Sequence, residues 1–185
     1  MARLMIVGPD LIAVGAVAGA YASDYAPPVG LVLVPSDTAK IGDTFDPVTG
    51  EFLTPAVPLD QRRATAVAMI EAHKARLMAA GAPYAGRRVE LDDASRANLN
   101  GVVTTALLME VGAISEWPAD YALGWITLDN SRIPLPTPMD GITLGLTVAH
   151  WYSGLVQFCR SAKDAVLASE APEVVVEGLD WSPWS

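Results

Sequence analysis

Helix punctuation divides the second two-thirds of this chain before any other property is considered. Asp60 stands as an N-cap ahead of a periodic stretch that runs to about Ala80 and is stopped by Gly81 and Pro83. Asp92-Asp93 opens a second stretch, closed after about Val111 by Gly112; two carboxylates at a helix start complement its macrodipole. Thr137 caps a third, with Pro138 at its first position and Asp140 three residues on, a variant of the capping box, and this helix is expected to reach about Ala168. Apolar spacing supplies a face for each. The first is Ala66, Ile70 and Leu77 with His73; the second includes Ala97, Val103, Ala106, Leu107 and Val111; the third is Ile142, Leu146, Ala149, Val156 and Cys159.

The rest of the chain reads as short strands and turns. Leu4–Val7 is an apolar strand, Gly8-Pro9-Asp10 a turn, and Leu11–Val14 the return strand. Pro27-Pro28 breaks any helix begun near Ala16, and Val29–Val34 is a further strand stopped by Pro35. Asp46-Pro47-Val48-Thr49-Gly50 is a turn, with an Asx residue, a proline of preset φ and a glycine for positive φ; Phe45 and Phe52 flank it and are placed to pair across a small hairpin. Pro55–Pro58 is a linker. Arg88–Leu91 alternates as a short strand. Leu123–Leu128 and Arg132–Leu135 read as two strands around the turn Asp129-Asn130-Ser131. Asn tolerates left-handed φ and Asp bonds its own backbone, so this hairpin closes without glycine. Trp125, Leu128, Ile133 and Leu135 are expected to fix it on the long third helix. Val174–Val176 reads as a last strand. Trp181-Ser182-Pro183-Trp184-Ser185 has no helix or strand logic, and its tryptophans, Trp181 and Trp184, are expected to anchor on a partner surface. The expected fold class is α+β: a small β-rich N-terminal docking part (1–55), a three-helix domain with a β-hairpin (60–170), and a C-terminal tail segment (171–185).

Composition narrows the chemistry. Hydrophobic residues make up 51% of the chain and charged residues 18%, enough apolar material for a core. Twelve basic against twenty-one acidic residues give a net charge of −9, and no run of five Lys or Arg occurs, which argues against a nucleic-acid partner. One cysteine forms no intrachain disulfide, and with two histidines it argues against structural zinc. The opening Met1–Ala22 mimics a secretory signal, but Pro9-Asp10 interrupts its apolar run and Leu11–Ala20 is Ala/Gly-rich. Asp10 equally argues against a membrane span, and Gly15-x-x-x-Gly19 then reads as tight soluble packing.

No phosphate-binding glycine loop, nucleophile elbow, zincin or CxxC motif is present. Cys159 and His150 stand nine residues apart on one expected helix, more than two turns. The carboxylate pairs Asp43/Asp46 and Asp92/Asp93 have turn and capping explanations, and Asp43–Gly50 lacks the ligand pattern of a calcium loop. The expectation is a non-enzymatic protein with no catalytic, cofactor-binding or metal-binding residues. A carbohydrate-active enzyme would require an exposed acid pair in a cleft.

Two segments carry a resemblance. Trp125-Ile126-Thr127-Leu128-Asp129-Asn130, followed after two residues by Ile133-Pro134-Leu135, resembles the W-x-T-x-D-N signature of an uncharacterised domain in bacteriophage tail-fibre-associated and tail-assembly proteins. Ile41-Gly42-Asp43-Thr44-Phe45-Asp46-Pro47-Val48-Thr49-Gly50-Glu51-Phe52 is similar to an I-G-D-x-(Y/F)-D-x-x-T-G-x-F element that precedes this domain in many such proteins. The resemblance covers about residues 1–170; the Ala/Gly-rich stretch and residues 172–185 have no counterpart in it. It implies structural roles for Trp125, Thr127, Asp129, Asn130, Ile133, Leu135, Gly42, Asp46, Gly50 and Phe52. It also implies a virion protein of the tail tip, in the baseplate or fibre network, made in the host cytoplasm and docked on other tail proteins in symmetric copies. The alternative is a tail-fibre or tail assembly chaperone absent from the finished particle.

Overall fold

The computed structural model describes residues 3–18 and 25–185. The chain divides into two compact units, 1–58 and 59–185. The first is a three-stranded antiparallel sheet of order β2-β1-β3, with β1 at Leu4–Val7, β2 at Ala13–Val17 and β3 at Val32–Pro35. A second hairpin pairs β4 (Thr44–Asp46) with β5 (Glu51–Leu53). Alternation in β1 sends Met5 and Val7 inward, where they meet Ala13, Ala39, Val34, Phe45 and Phe52. The return strand begins at Ala13 rather than Leu11, because Leu11 has a φ of 64° and the amide of Gly8 bonds the Ile12 carbonyl, closing a wider turn. Likewise β3 begins at Val32; Val29 and Gly30 form an exposed turn ahead of it. Gly15 lies in β2, whereas Gly19, the other half of the spacing noted above, and Met1 lie outside the described residues.

The second unit is helical, with two small hairpins. Its long helices are α1 (Leu59–Ala80), α2 (Asp93–Glu110) and α4 (Pro138–Ala168). Short ones are α3 (Ala119–Ala122) and α5 (Pro172–Glu177), and a 3₁₀ turn covers Ser182–Trp184. The local signals act as their chemistry dictates: Asp92 accepts the amide of Ser95 at 2.6 Å, and Thr137 and Asp140 form a reciprocal capping box. With the β-rich first unit, this is the α+β class.

Helix faces matched expectation unevenly. On α1, Ala66, Ile70 and Leu77 are the buried residues. On α2 the buried set is Leu99, Val102 and Ala106; Ala97 and Leu107, and Val111 at the C-cap, are exposed. On α4 the buried face is Gly141, Leu144, Gly145, Val148, Trp151, Leu155, Cys159, Ala162 and Val166, so of the expected stripe only Cys159 is buried, and Leu146 and Ala149 face outward. The reason is close helix approach. A Cβ on Gly145 would lie 2.1 Å from Val103 Cγ2, and one on Gly141 would lie 2.9 Å from Val102 Cγ1. The absence of side chains brings α2 onto this side of α4 and rotates the apolar residues of the neighbouring stripe away from the core.

Two elements differ in type. Ala82–Tyr84 (β6) pairs with Arg87–Val89 (β7) across Ala85 and Gly86, both at positive φ, so the residues after α1 are a strand and not merely a stop. Val174–Val176 is part of α5, not a strand. Pro172 stands at the first turn of that helix, and packing on α1 and α4 overrides the strand preference of three valines. Beside it, Arg63 donates from Nε and Nη2 to the Ser169 carbonyl at 3.1 and 3.0 Å, which satisfies the end of α4.

Candidate functional site

The W-x-T-x-D-N segment forms a short hairpin, β8 (Trp125–Ile126) against β9 (Arg132–Ile133). Both strands are shorter than the sequence implies because side chains hold the turn on each side. Asn130 has a φ of 58°, the left-handed conformation expected of it. Asp129 Oδ1 accepts the Ser131 hydroxyl at 2.5 Å, the Thr127 hydroxyl at 2.5 Å and the Ser131 amide at 3.2 Å. The Thr127 amide in turn bonds the Ser131 carbonyl at 3.0 Å. Arg87 reaches across from β7 to the Ser131 hydroxyl and to Asp129 Oδ2. The Ser131 hydroxyl, then that of Thr127, hold the Asp129 carboxyl at a pKa of about 2. Thr127 itself is buried, at 5% exposure. The polar residues of the motif are thus engaged with one another and with the neighbouring hairpin, which the Leu128 amide also joins through the Arg88 carbonyl.

The apolar residues of the hairpin divide. Ile133 and Leu135 are buried in the core with Leu144, Val148 and Trp151 of α4, and half-buried Trp125 packs against that core. Leu128 does not join them; it is 43% exposed, and its Cδ1 lies over Gly81 at the end of α1. The Trp117 indole N–H donates to the Leu135 carbonyl at 2.8 Å and ties the strand end to the α3 region.

Beside the hairpin lies a cleft of about 490 Å³ between it, α2 and α3. Glu90, Asn98, Gly101, Asp120, Trp125 and Arg132 are among the residues lining it. Its volume is that of a small-ligand site. The carboxylates of Glu90 and Asp120 form no ion pair among the described residues, and Arg132 turns one donor to the Gly124 carbonyl at 3.2 Å. Trp125 Nε1 is withdrawn from solvent without an acceptor, a state that costs about 1–3 kcal/mol. Trp151 and Trp184 share it, but inside the aromatic packing rather than beside the cleft. Sequence reading missed Glu90, Asn98, Gly101 and Asp120, since they come from separate segments without motif spacing; of the lining, Trp125, Thr127 and Leu135 carried a signal.

The remaining expected positions lie elsewhere. In the first unit, Phe45 and Phe52 stand directly opposite, with ring centroids 5.1 Å apart. Asp46 accepts the amide of Val48 at 2.8 Å, which lowers its pKa, and Gly42 and Gly50 take φ of 98° and 75°. Buried Asp43 accepts the Lys40 amide, and Asp93 pairs with Arg96. Trp181 and Trp184, assigned above to a partner surface, lie on the helices of their own unit. Trp181 stacks on His73 at 3.9 Å and meets Phe158 edge-on at 5.0 Å, while Trp184 packs on Trp151 and Phe158 over Gly154. Burial, then the Arg76 charge, lowers the His73 pKa. Cys159 is buried and its thiol is pushed up by burial. Among the described residues there is no cluster of three His, Cys, Asp or Glu able to hold a metal ion, and no helix long and apolar enough to cross a membrane.

Residues 61–181 match the model of DUF4376, described as a domain of unknown function. The chain belongs to the DUF4376 family. The match takes in the W-x-T-x-D-N hairpin, the cleft and Trp181, and ends short of Trp184. No curated protein and no solved structure matches the chain.

Proposed function

We propose that this DUF4376 protein is a non-enzymatic docking protein of a bacteriophage virion, placed at the tail tip in the baseplate or fibre network. One observation carries the reading: the motif spends its polar side chains on its own turn. Asp129, Thr127 and Ser131 bond one another, and Arg87 closes the set. Groups used in this way hold a shape, and a held shape is what a docking surface needs. The resemblance of the motif, and of the Ile41–Phe52 element, to tail proteins supplies the setting.

Apolar surface supports docking as well. Leu107 on α2, Val111 at its C-cap and Leu146 on α4 are each more than half exposed, and in the first unit so are Val14, Val32 and Leu53. Neighbouring tail proteins, or further copies of this chain about a symmetry axis, would cover them. The second reading is a tail-fibre or tail assembly chaperone, which would use the same surfaces during assembly and then leave. Mass spectrometry of purified particles, from a phage whose genome carries this sequence, separates the two. The chain is expected in the particles in fixed stoichiometry with tail proteins; its presence in lysate and absence from particles would overturn the virion reading.

A further inference from the structure

Two apolar rows that periodicity assigns to the core lie outside it and share one face. On α2 the row is Leu107 and, at the C-cap, Val111, 51% and 76% exposed. On α4 it is half-buried Ile142, Leu146 and Ala149, with Leu146 62% exposed. Contacts between the helices set the rows side by side. A Cβ on Gly145 would strike Val103, one on Gly141 would strike Val102, and the Arg96 guanidinium lies 5.0 Å over the Tyr152 ring. Rising numbers on α2 thus meet falling numbers on α4, and the helices run antiparallel. Leu107 stands one turn from Val103 and Leu146 directly follows Gly145, so both flank the line of contact. The face is also without charge: Ala97–Met109 and Gly141–Cys159 contain no Asp, Glu, Lys or Arg. By contrast, α1 carries Arg62, Glu71, Lys74 and Arg76. Charge returns where the face ends. Arg96, paired with Asp93, and Arg160, paired with Asp164, lie at one end. At the other these helices supply carboxylates alone, Glu110 and Asp140. Arg96 and Glu110 are equally far along α2 from Val103.

Charge selects the occupant. The chain carries −9, so its copies repel one another over most of their surface. This face is where they do not. A basic partner would find no carboxylate between its ends to meet, whereas a second copy brings an equally uncharged, apolar face. The ends fit a copy as well. Turned over about a two-fold axis that crosses the helices at Val103 and Gly145, the second copy lays its Glu110 end beside the first copy's Arg96 end, and the reverse contact forms at the same time. Size agrees. The charge-free lengths of the two helices are about 20 and 28 Å, and with a helix spacing of about 10 Å they give roughly 500 Å² per copy. Two copies then bury about 1,000 Å², where specific interfaces begin. We propose that the outer face of α2 and α4 pairs with the same face of a second copy, α4 lying antiparallel on α4 with Leu146 at the axis. This names the occupant of one surface in the docking reading and rests on that reading for its setting; mass in solution answers it separately from what particles contain.

The test is sedimentation equilibrium of the full-length protein at concentrations up to about 100 μM, where an interface of this size is expected to hold. A mass of twice 19.5 kDa is expected. Leu146→Glu sets two like charges together at the axis and should weaken the pair by about a hundredfold or more, with the helical circular-dichroism spectrum unchanged because the side chain is exposed. Met139→Glu, also on an exposed side chain of this face, gives the same reading should Leu146→Glu not fold. Met69→Glu, equally exposed on α1, should leave the pair intact. Orientation is read by cross-linking. Positions 139 and 153 lie equally far on either side of Leu146, so Met139→Cys and Ser153→Cys chains, mixed and oxidised, should join to each other rather than each to itself; the native Cys159 is buried. A monomer throughout the concentration range would overturn the proposal and leave the face to a different protein. So would a pair that survives Leu146→Glu and Met139→Glu at full strength, an assembly larger than two through this face, or Met139→Cys chains that join only to one another, which means a parallel arrangement.

Discussion

At the residue scale, the hairpin is the clearest case of side chains chosen for what they do to the backbone. Asn130 accepts a conformation that few residues other than glycine take, and Asp129 supplies the acceptors that hold it. This much was legible in the sequence, because Asx-turn chemistry is local. The participation of Arg87 was not, since it depends on a second hairpin that only the fold brings alongside. The Asp129 carboxyl gives a pH prediction. Its pKa in the fold, about 2, lies below the 3.8 of a free carboxyl. The stabilising contribution is therefore complete above 3.8 and is lost as pH falls from there through about 2, the unfolded chain taking the proton first. Carbon-13 titration of the Asp129 carboxyl should give a midpoint near 2; a midpoint at or above 3.8 would show that the hydroxyl contacts are not maintained in solution.

At the element scale, helix ends were readable and helix faces were not always so. Caps such as Thr137 with Asp140 are local bonds between near neighbours and need no tertiary context. The α4 face was misread because apolar periodicity scores glycine as empty, whereas Gly141 and Gly145 are where α2 makes its closest approach. The strand β6 was missed because Ala85, not Asn or Asp, takes positive φ in its turn. A pair of substitutions tests the packing. Gly145→Ala should destabilise the protein by about 1–3 kcal/mol through overpacking against Val103. Gly101→Ala should instead be neutral or stabilise by up to about 1 kcal/mol, since the helix gains and nothing clashes. Denaturant unfolding of the two variants checks the signs, and equal losses would refute the assignment of the two glycines. The C-terminal 3₁₀ turn makes a third case. Tryptophans without strand or helix context gave no hint that His73 and Phe158 would receive Trp181. Trp181→Ala should cost about 1.5–2.5 kcal/mol, half the loss expected for a fully buried ring, measured in the same way.

At the scale of the whole molecule, the chain is two bodies with separate cores: Met5, Val7, Ala13 and Ala39 in one, and the helical cluster around Ile70, Leu144 and Leu155 in the other. Residues 59–185 expressed alone should therefore fold with an unchanged helical circular-dichroism spectrum and a cooperative thermal transition; a non-cooperative melt would show that this unit depends on the first. The cysteine-poor, acidic composition and the absence of known chemical motifs bounded what to look for, but the cleft was invisible in sequence, being assembled from Glu90, α2, α3 and β8–β9.

The central claim is that the W-x-T-x-D-N residues serve shape. Thr127 tests it most directly, because its side chain is buried, bears no charge and bonds both Asp129 and Ser131. The measurement is the unfolding free energy of Thr127→Val, which keeps the volume and removes the hydroxyl. A loss of about 1–2 kcal/mol is predicted, the worth of a buried hydrogen bond together with the partner left unmet. Stability unchanged within about 0.3 kcal/mol would contradict the account, for the hydroxyl would then be holding nothing in the folded chain.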